Sequence, residues 1–335
     1  MLEKLSKLAK GNGNALTKLA IFRIEPINFM IRNQTEKNRI ISGFQKFLNA
    51  LDFKIQIIMG TSYLNLDNYI NALELRVEKL SKKTKKKILN KHFQSYKQFL
   101  TTTIKKNSVL DRNFFIVIPE SENSKIEIQV GVVEQQLNSL NLKHKRLDDN
   151  EILQVLISFF NDVLEDSDKS DFGEVTKENY LHYLIAPEYI KNYPDRIAVD
   201  NKECRIIYAD GFPRTVEAGF LDKIITLNGI FDLSIFIEPV PLDEMMIMLN
   251  KELQKQKADL YSAELKSMIN PSLEIQYQDT RFVLEELQKG KEKMFFVSLY
   301  INCKALSLDE LDMITKKVEA ELNSMMVMPK RAYFR

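Results

Sequence analysis

Cysteine is nearly missing. Cys204 and Cys303 are the only two in 335 residues and stand about 100 positions apart. That excludes a thiolate zinc knuckle and suits a reducing compartment better than a disulfide framework. Long hydrophobic runs are missing too: the best, such as Tyr183 to Ile190, are interrupted by Pro187 and Glu188, well short of the ~20 apolar residues a bilayer span needs. Nor does charge of one sign dominate, since 48 Lys+Arg against 46 Asp+Glu leave +2. A dedicated DNA binder is usually strongly basic, so only a local patch could serve nucleic acid.

Glycine clusters are equally scarce. A P-loop needs backbone amides around the phosphates with Lys and a hydroxyl at its end. The only Gly-Lys, Gly290-Lys291, is followed by Glu292, and Glu285 stands where the first glycine should be. Gly11-Asn12-Gly13 has no strand feeding it, so no phosphate cradle or cofactor site is expected. Gly60-Thr61-Ser62-Tyr63-Leu64 lacks the second glycine of a nucleophile elbow and reads as a strand end entering a turn. Asp166, Asp168 and Asp171 resemble a calcium loop, but Gly173 is misplaced and the twelfth position is Lys177. The three histidines, His92, His144 and His182, sit among Lys, Tyr or polar residues, and Glu178 with His182 at i, i+4 makes one weak pair. Two ligands do not make a metal site, and pairs such as Glu285-Glu286 are ordinary on solvated helices. No catalytic constellation emerges.

What is present is an ordinary soluble composition, 44% hydrophobic and 28% charged, long enough for about two domains of roughly 150 residues. Met1 to Lys10 places Leu2, Leu5 and Leu8 at helical spacing among lysines, an amphipathic docking segment over residues 1–18 rather than a signal peptide. Strands are expected from Ala20, broken at Pro26, over Phe53 to Ile58, and over Asn113 to Ile118. Helices are expected from Thr35 through a stripe of Ile40, Ile41, Phe44, Phe47, Leu48 and Leu51, over Asp67 to about Asn107, over Val132 to Leu140, and from Glu151 to about Leu164. Leu142 to Leu147 can form a closing strand.

The acidic stretch 165–178 reads as a linker between a first α+β unit, 19–164, and a second, 179–335. Beyond it, Asp200-Asn201-Lys202 marks a hairpin turn. The order strand, helix, strand, helix, strand then recurs through Phe231 to Ile237, Leu242 to Lys289, Met294 to Ile301, Leu308 to Leu322 and Met326 to Phe334, at offsets near 180 residues. Asn270-Pro271 should split the long helical region into two antiparallel helices. The expectation is an α+β fold of two repeated strand-helix-strand-helix-strand units, ferredoxin-like sheets packed against long helices. Chance recurrence of a common unit is the alternative.

One electrostatic feature stands out: Lys82, Lys83, Lys85, Lys86, Lys87 and Lys91, six cations in ten residues. They fit a solvated helix face, anionic lipid, or nucleic-acid phosphates. Phe93, Tyr96 and Phe99 follow at the spacing of a buried stripe.

Several strings, in order, resemble one family. Phe47-Leu48-Asn49-Ala50-Leu51-Asp52-Phe53-Lys54-Ile55-Gln56-Ile57 is similar to a segment of the TraC-like conjugative-transfer ATPases of type IV secretion systems. Asp111 to Pro119, Leu137 to Asp149, Ala186 to Ile190, Gly211-Phe212-Pro213-Arg214, Ile237-Glu238-Pro239 and Pro329 to Arg335 agree in the same order. Residues 1–18 depart from the family, replacing the strands that usually precede the element seen here as Pro26-Ile27-Asn28-Phe29. The resemblance implies the N-terminal, non-ATPase region of such a protein, which docks a RecA-like motor onto inner-membrane secretion components and contributes to homo-oligomer assembly. It implies a cytoplasmic location, peripheral on the inner face of the membrane, with no nucleotide hydrolysis of its own. Gly211, Phe212, Pro213 and Arg214 form the loop expected to make contacts, or merely a structural turn. A nucleic-acid-binding accessory protein using the Lys82 to Lys91 face is the competing class, and an enzyme with an unrecognised site a third.

Overall fold

The computed structural model describes residues 19–63, 70, 73–77, 92–100, 110–119, 126–160, 187, 189–266, 270–290 and 293–333. The N-terminal segment, the six-lysine block and the acidic linker therefore lie outside the described residues, as do Asp166, Asp168, Asp171 and His182.

Alternating apolar residues build the strands. β1 (Leu19–Ile24), β2 (Ile55–Tyr63), β3 (Leu110–Pro119) and β4 (His144–Arg146) lie in the first half, and β5 (Ile190–Asn192), β6 (Ile197–Val199), β7 (Lys202–Gly211), β8 (Phe231–Pro239), β9 (Phe295–Ala305) and β10 (Met328–Arg331) in the second. The helices are α1 (Gln34–Asn49), α2 (Ile126–Ser139), α3 (Asp149–Phe160), α4 (Asp222–Ile225), α5 (Leu242–Leu265), α6 (Pro271–Gln288) and α7 (Leu308–Ser324), with further helical residues at 73–77 and 92–100. Short polar side chains start several of them by accepting an orphan N–H. Asn33 takes Glu36 N–H at 2.9 Å and Ser307 takes Glu310 N–H at 3.3 Å. Asn270 takes Leu273 N–H at 3.3 Å just before Pro271, so the break in the long helical region is where proline chemistry puts it.

All ten strands belong to one sheet of order β4-β1-β3-β2-β8-β9-β7-β6-β5, with β10 also on β7, and every pairing is antiparallel. The fold is mixed α+β with one antiparallel sheet and helices. β2 and β8 join edge to edge, Ile57 opposite Ile235, so the halves share a sheet instead of each packing its own. Neighbours run β4-β1-β3-β2 in the first half and β10-β7-β9-β8 in the second. In both halves a helix closes with a left-handed residue before the edge strand: Asn141 (φ 53°) after α2 and Met326 (φ 59°) after α7. Leu142 N–H then reaches Leu137 O at 3.1 Å and Val327 N–H reaches Leu322 O at 3.0 Å. Methionine carries a Cβ penalty in that conformation. Met326→Gly is therefore expected to raise stability by about 0.5–1 kcal/mol in thermal or urea unfolding, net of the added freedom of the unfolded chain.

Strand alternation sorts side chains onto two faces. Across one face runs the row Phe22, Ile116, Ile57, Ile235, Leu299, each opposite the next. α1 and α2 cover it in the first half through Phe47, Leu51, Val130, Val133 and Leu137, and α7 covers it in the second through Leu311, Ile314, Val318 and Leu322. Burying each such side chain contributes roughly 1.5–3 kcal/mol. On the α1 stripe only Phe47 and Leu51 are fully buried, while Ile41 and Phe44 stay exposed. The other face is covered in the first half by α3, whose Val155 and Phe159 pack with Ile21, Phe115 and Leu147.

That packing corrects the reading of Gly60-Thr61-Ser62 as a turn. These residues continue β2, paired with Asn113, Arg112 and Asp111. A Cβ on Gly60 would lie 2.9 Å from the Phe159 ring, so glycine is there to admit α3.

Candidate functional site

Two charged side chains inside the sheet were not singled out by the sequence. Asp232 on β8 and Lys304 on β9 form an ion pair at 2.6 Å with side chains only 10% and 6% exposed. Thr61 N–H donates to Asp232 Oδ1 at 3.1 Å and Thr61 Oγ1 donates to Phe231 O at 2.5 Å. Lys304 Nζ also donates to Phe159 O at 3.1 Å, tying α3 to β9. Beside it Arg112 donates to Thr61 Oγ1 at 2.9 Å and to Leu227 O, with its guanidinium 4.8 Å from the Phe231 ring centre. Burial lowers the Arg112 pKa from its usual value. The polar groups thus sit where β2 meets β8 and satisfy one another, as buried charges must.

A cavity of about 170 Å³ opens next to this joint, lined by Arg23, Ser62, Asn113, Gln154, Ser158 and Asp232 among others. Among the described residues no group of three or more His, Cys, Asp or Glu could hold a metal ion. His144 Nδ1 is 2.8 Å from Leu142 O and its ring meets Phe22 edge-on, a structural placement. Burial pushes the Cys303 thiol up to about 12, so it is an inert core residue.

The loop Gly211, Phe212, Pro213, Arg214 follows β7 at the β10 side of the sheet, where a Cβ on Gly211 would meet Met328 Sδ at 3.3 Å. Arg214 pairs with Asp279 of α6, fixing the loop to the helical hairpin. Its continuation turns at Gly219 (φ 86°), where a Cβ would lie 4.0 Å from Met30 Sδ. The loop after β1, at Pro26 to Arg32, thus comes near Gly219, on the stretch that leads from β7 to α4. Both carry exposed apolar side chains: Met30 62%, Ile31 79%, Phe212 42% and Val216 53%. The six lysines from Lys82 to Lys91 lie outside the described residues.

No described helix is long and apolar enough to cross a membrane. Compared with known families, residues 17–151 match the archaeal TraC-like domain. No curated protein matches the chain. At family level the match fits a role related to type IV secretion and conjugation.

Proposed function

We propose that this chain, TraC-like over residues 17–151, is a docking and assembly module for a type IV secretion or conjugal-transfer apparatus, without nucleotide hydrolysis of its own. Its partners are inner-membrane components of that apparatus, a RecA-like motor domain or subunit, and further copies of the chain. It works in the cytoplasm, peripheral on the inner face of the membrane. The observation that carries the reading is the set of exposed apolar side chains on the loops after β1 and β7, Met30, Ile31, Phe212 and Val216. Exposed apolar side chains on connecting loops suit burial against another protein.

Charged replacements on those loops test it. Ile31→Asp with Phe212→Asp is expected to abolish co-purification with an inner-membrane subunit, measured by affinity capture from membranes. Stability should change by less than about 0.5 kcal/mol per site, because both side chains are exposed. Co-purification that survives both charges rejects the loops as the docking surface.

A further inference from the structure

Among the described residues, the sheet face that α3 covers in the first half carries exposed aromatic side chains in the second, Tyr300, Phe236 and Phe296. We infer that this open face binds single-stranded nucleic acid by stacking bases on Tyr300, Tyr208 and Phe236, an activity distinct from docking through the loops.

One row of directly opposed residues crosses the whole sheet on this side: Arg23, Phe115, Ile58, Ser234, Tyr300, Tyr208. In the first half Ile21, Phe115, Ile58 and Val117 on this face pack with Val155 and Phe159 of α3, with Arg23 exposed beside them. Past the β2–β8 joint the composition changes to aromatic and hydroxyl side chains. Tyr208 and Tyr300 lie side by side on β7 and β9, ring centres 6.5 Å apart. Phe236 meets Tyr300 edge-on at 5.8 Å. Tyr300, Phe236 and Phe296 are 41%, 44% and 57% exposed.

Placement matters as much as composition. β7 and β9 are the inner strands of the order β10-β7-β9-β8. Exposed aromatics on adjacent inner strands, here with Tyr208 tilted 41° to Tyr300 and Phe236 edge-on to it, offer ring faces on which bases stack, whatever their identity. Ser234 and Ser298 add small hydroxyls between the rings, and the buried Asn302 Oδ1 has no hydrogen-bond partner among the described residues. At the margins Lys330 pairs with Asp210 and Lys54 with Glu238, both at 2.6 Å and both exposed. Such pairs have little net strength, so phosphates can compete for the two ammonium groups.

With two cations in play, the logarithm of affinity should fall with a slope of about −1.4 against log salt, a loss of about sevenfold between 50 and 200 mM. A six-lysine site would lose about 300-fold over the same range. The experiment is fluorescence anisotropy of the full chain with labelled oligothymidylate and oligouridylate at both salt concentrations. The wild type should bind with the shallow salt dependence. Y208L with Y300L keeps apolar bulk on the sheet but removes the rings, and should weaken binding by about tenfold or more, while Y208F with Y300F should stay within about twofold. Equal binding by the leucine pair overturns the proposal. So does a steep salt loss abolished by lysine-to-glutamine changes at Lys82 to Lys91, which would place the site there. Absence of binding to either oligonucleotide overturns it as well and leaves the face to a protein helix of the kind α3 provides in the first half.

Discussion

Lys304→Met is expected to lower the unfolding free energy by about 3–5 kcal/mol. The methionine fills most of the aliphatic space of lysine, so the loss comes from electrostatics. Asp232 would keep its hydrogen bond from Thr61 N–H but lose the ammonium at 2.6 Å. A carboxylate without its counter-charge in the interior must either bear the desolvation cost or take up a proton. The same change removes the Lys304 donor from Phe159 O, where α3 is tied to β9.

Removing both charges should be far milder. Lys304→Met combined with Asp232→Leu is expected to recover most of the loss, because a buried pair contributes less than the penalty for breaking it. Urea unfolding of the two single variants and the double variant completes the cycle. If Lys304→Met alone costs under about 1 kcal/mol, Asp232 is solvated through the adjacent cavity and the pair does not hold the joint.

Arg205→Met should cost about 3 kcal/mol at neutral pH, and the cost should shrink in acid. The guanidinium donates from Nη1 to Asp312 Oδ1 at 2.5 Å and to Thr315 Oγ1 at 3.3 Å, and from Nη2 to Asp195 Oδ2 at 2.7 Å. It clamps α7 and the turn before β6 to β7, with its own side chain 4% exposed. For Asp312 the hydrogen bond from Arg205 holds the carboxyl below its usual range. For Asp195 burial pushes upward, but the Arg205 hydrogen bond and charge leave it lowered. A depressed folded-state pKa contributes stability that is fully present above the unfolded value of about 3.9 and is lost as pH falls through the folded value. The gap between wild type and Arg205→Met should therefore be constant from pH 7 to about 5 and close below about pH 4. Asp312 is half exposed, so solvent screening discounts its share. Arg205→Lys is expected to recover little, because one ammonium cannot reproduce a fork shared by two carboxylates. A gap unchanged down to pH 2 would show that the clamp acts through packing rather than charge.

Local chemistry was legible where it is local. Asn33, Asn270 and Ser307 start helices because their side chains reach a backbone N–H three residues on, and Pro271 divides the long helical stretch for the reason proline always does. The strands at Phe53, Asn113, Phe231 and Met294 all appear, shifted or lengthened at their ends: β3 runs Leu110–Pro119 and β9 Phe295–Ala305. Their ends lengthened because ladder partners on β2 and β8 continue the pairing past the alternating apolar core. Gly60 was misread for a related reason. Its missing side chain answers Phe159, about 100 residues away, and no local window contains that contact.

Sequence alone determined the periodicities, the caps, the hairpin at Asp200, the scarcity of metal and phosphate-binding motifs, and the ordered strings that resemble a TraC-like region. These are short-range properties, set by backbone geometry and nearest neighbours. Tertiary structure decided which edges pair, which face each helix covers and which charges meet. β2 could have ended a sheet, yet it joins β8; Lys304 and Asp232 read as ordinary polar punctuation, yet they form a buried pair. Alternation states that a strand has two faces, but only the packing of α3 on one half leaves Tyr208, Tyr300 and Phe236 open on the other. Burial is a property of what lies opposite, and what lies opposite comes from residues far away in the chain.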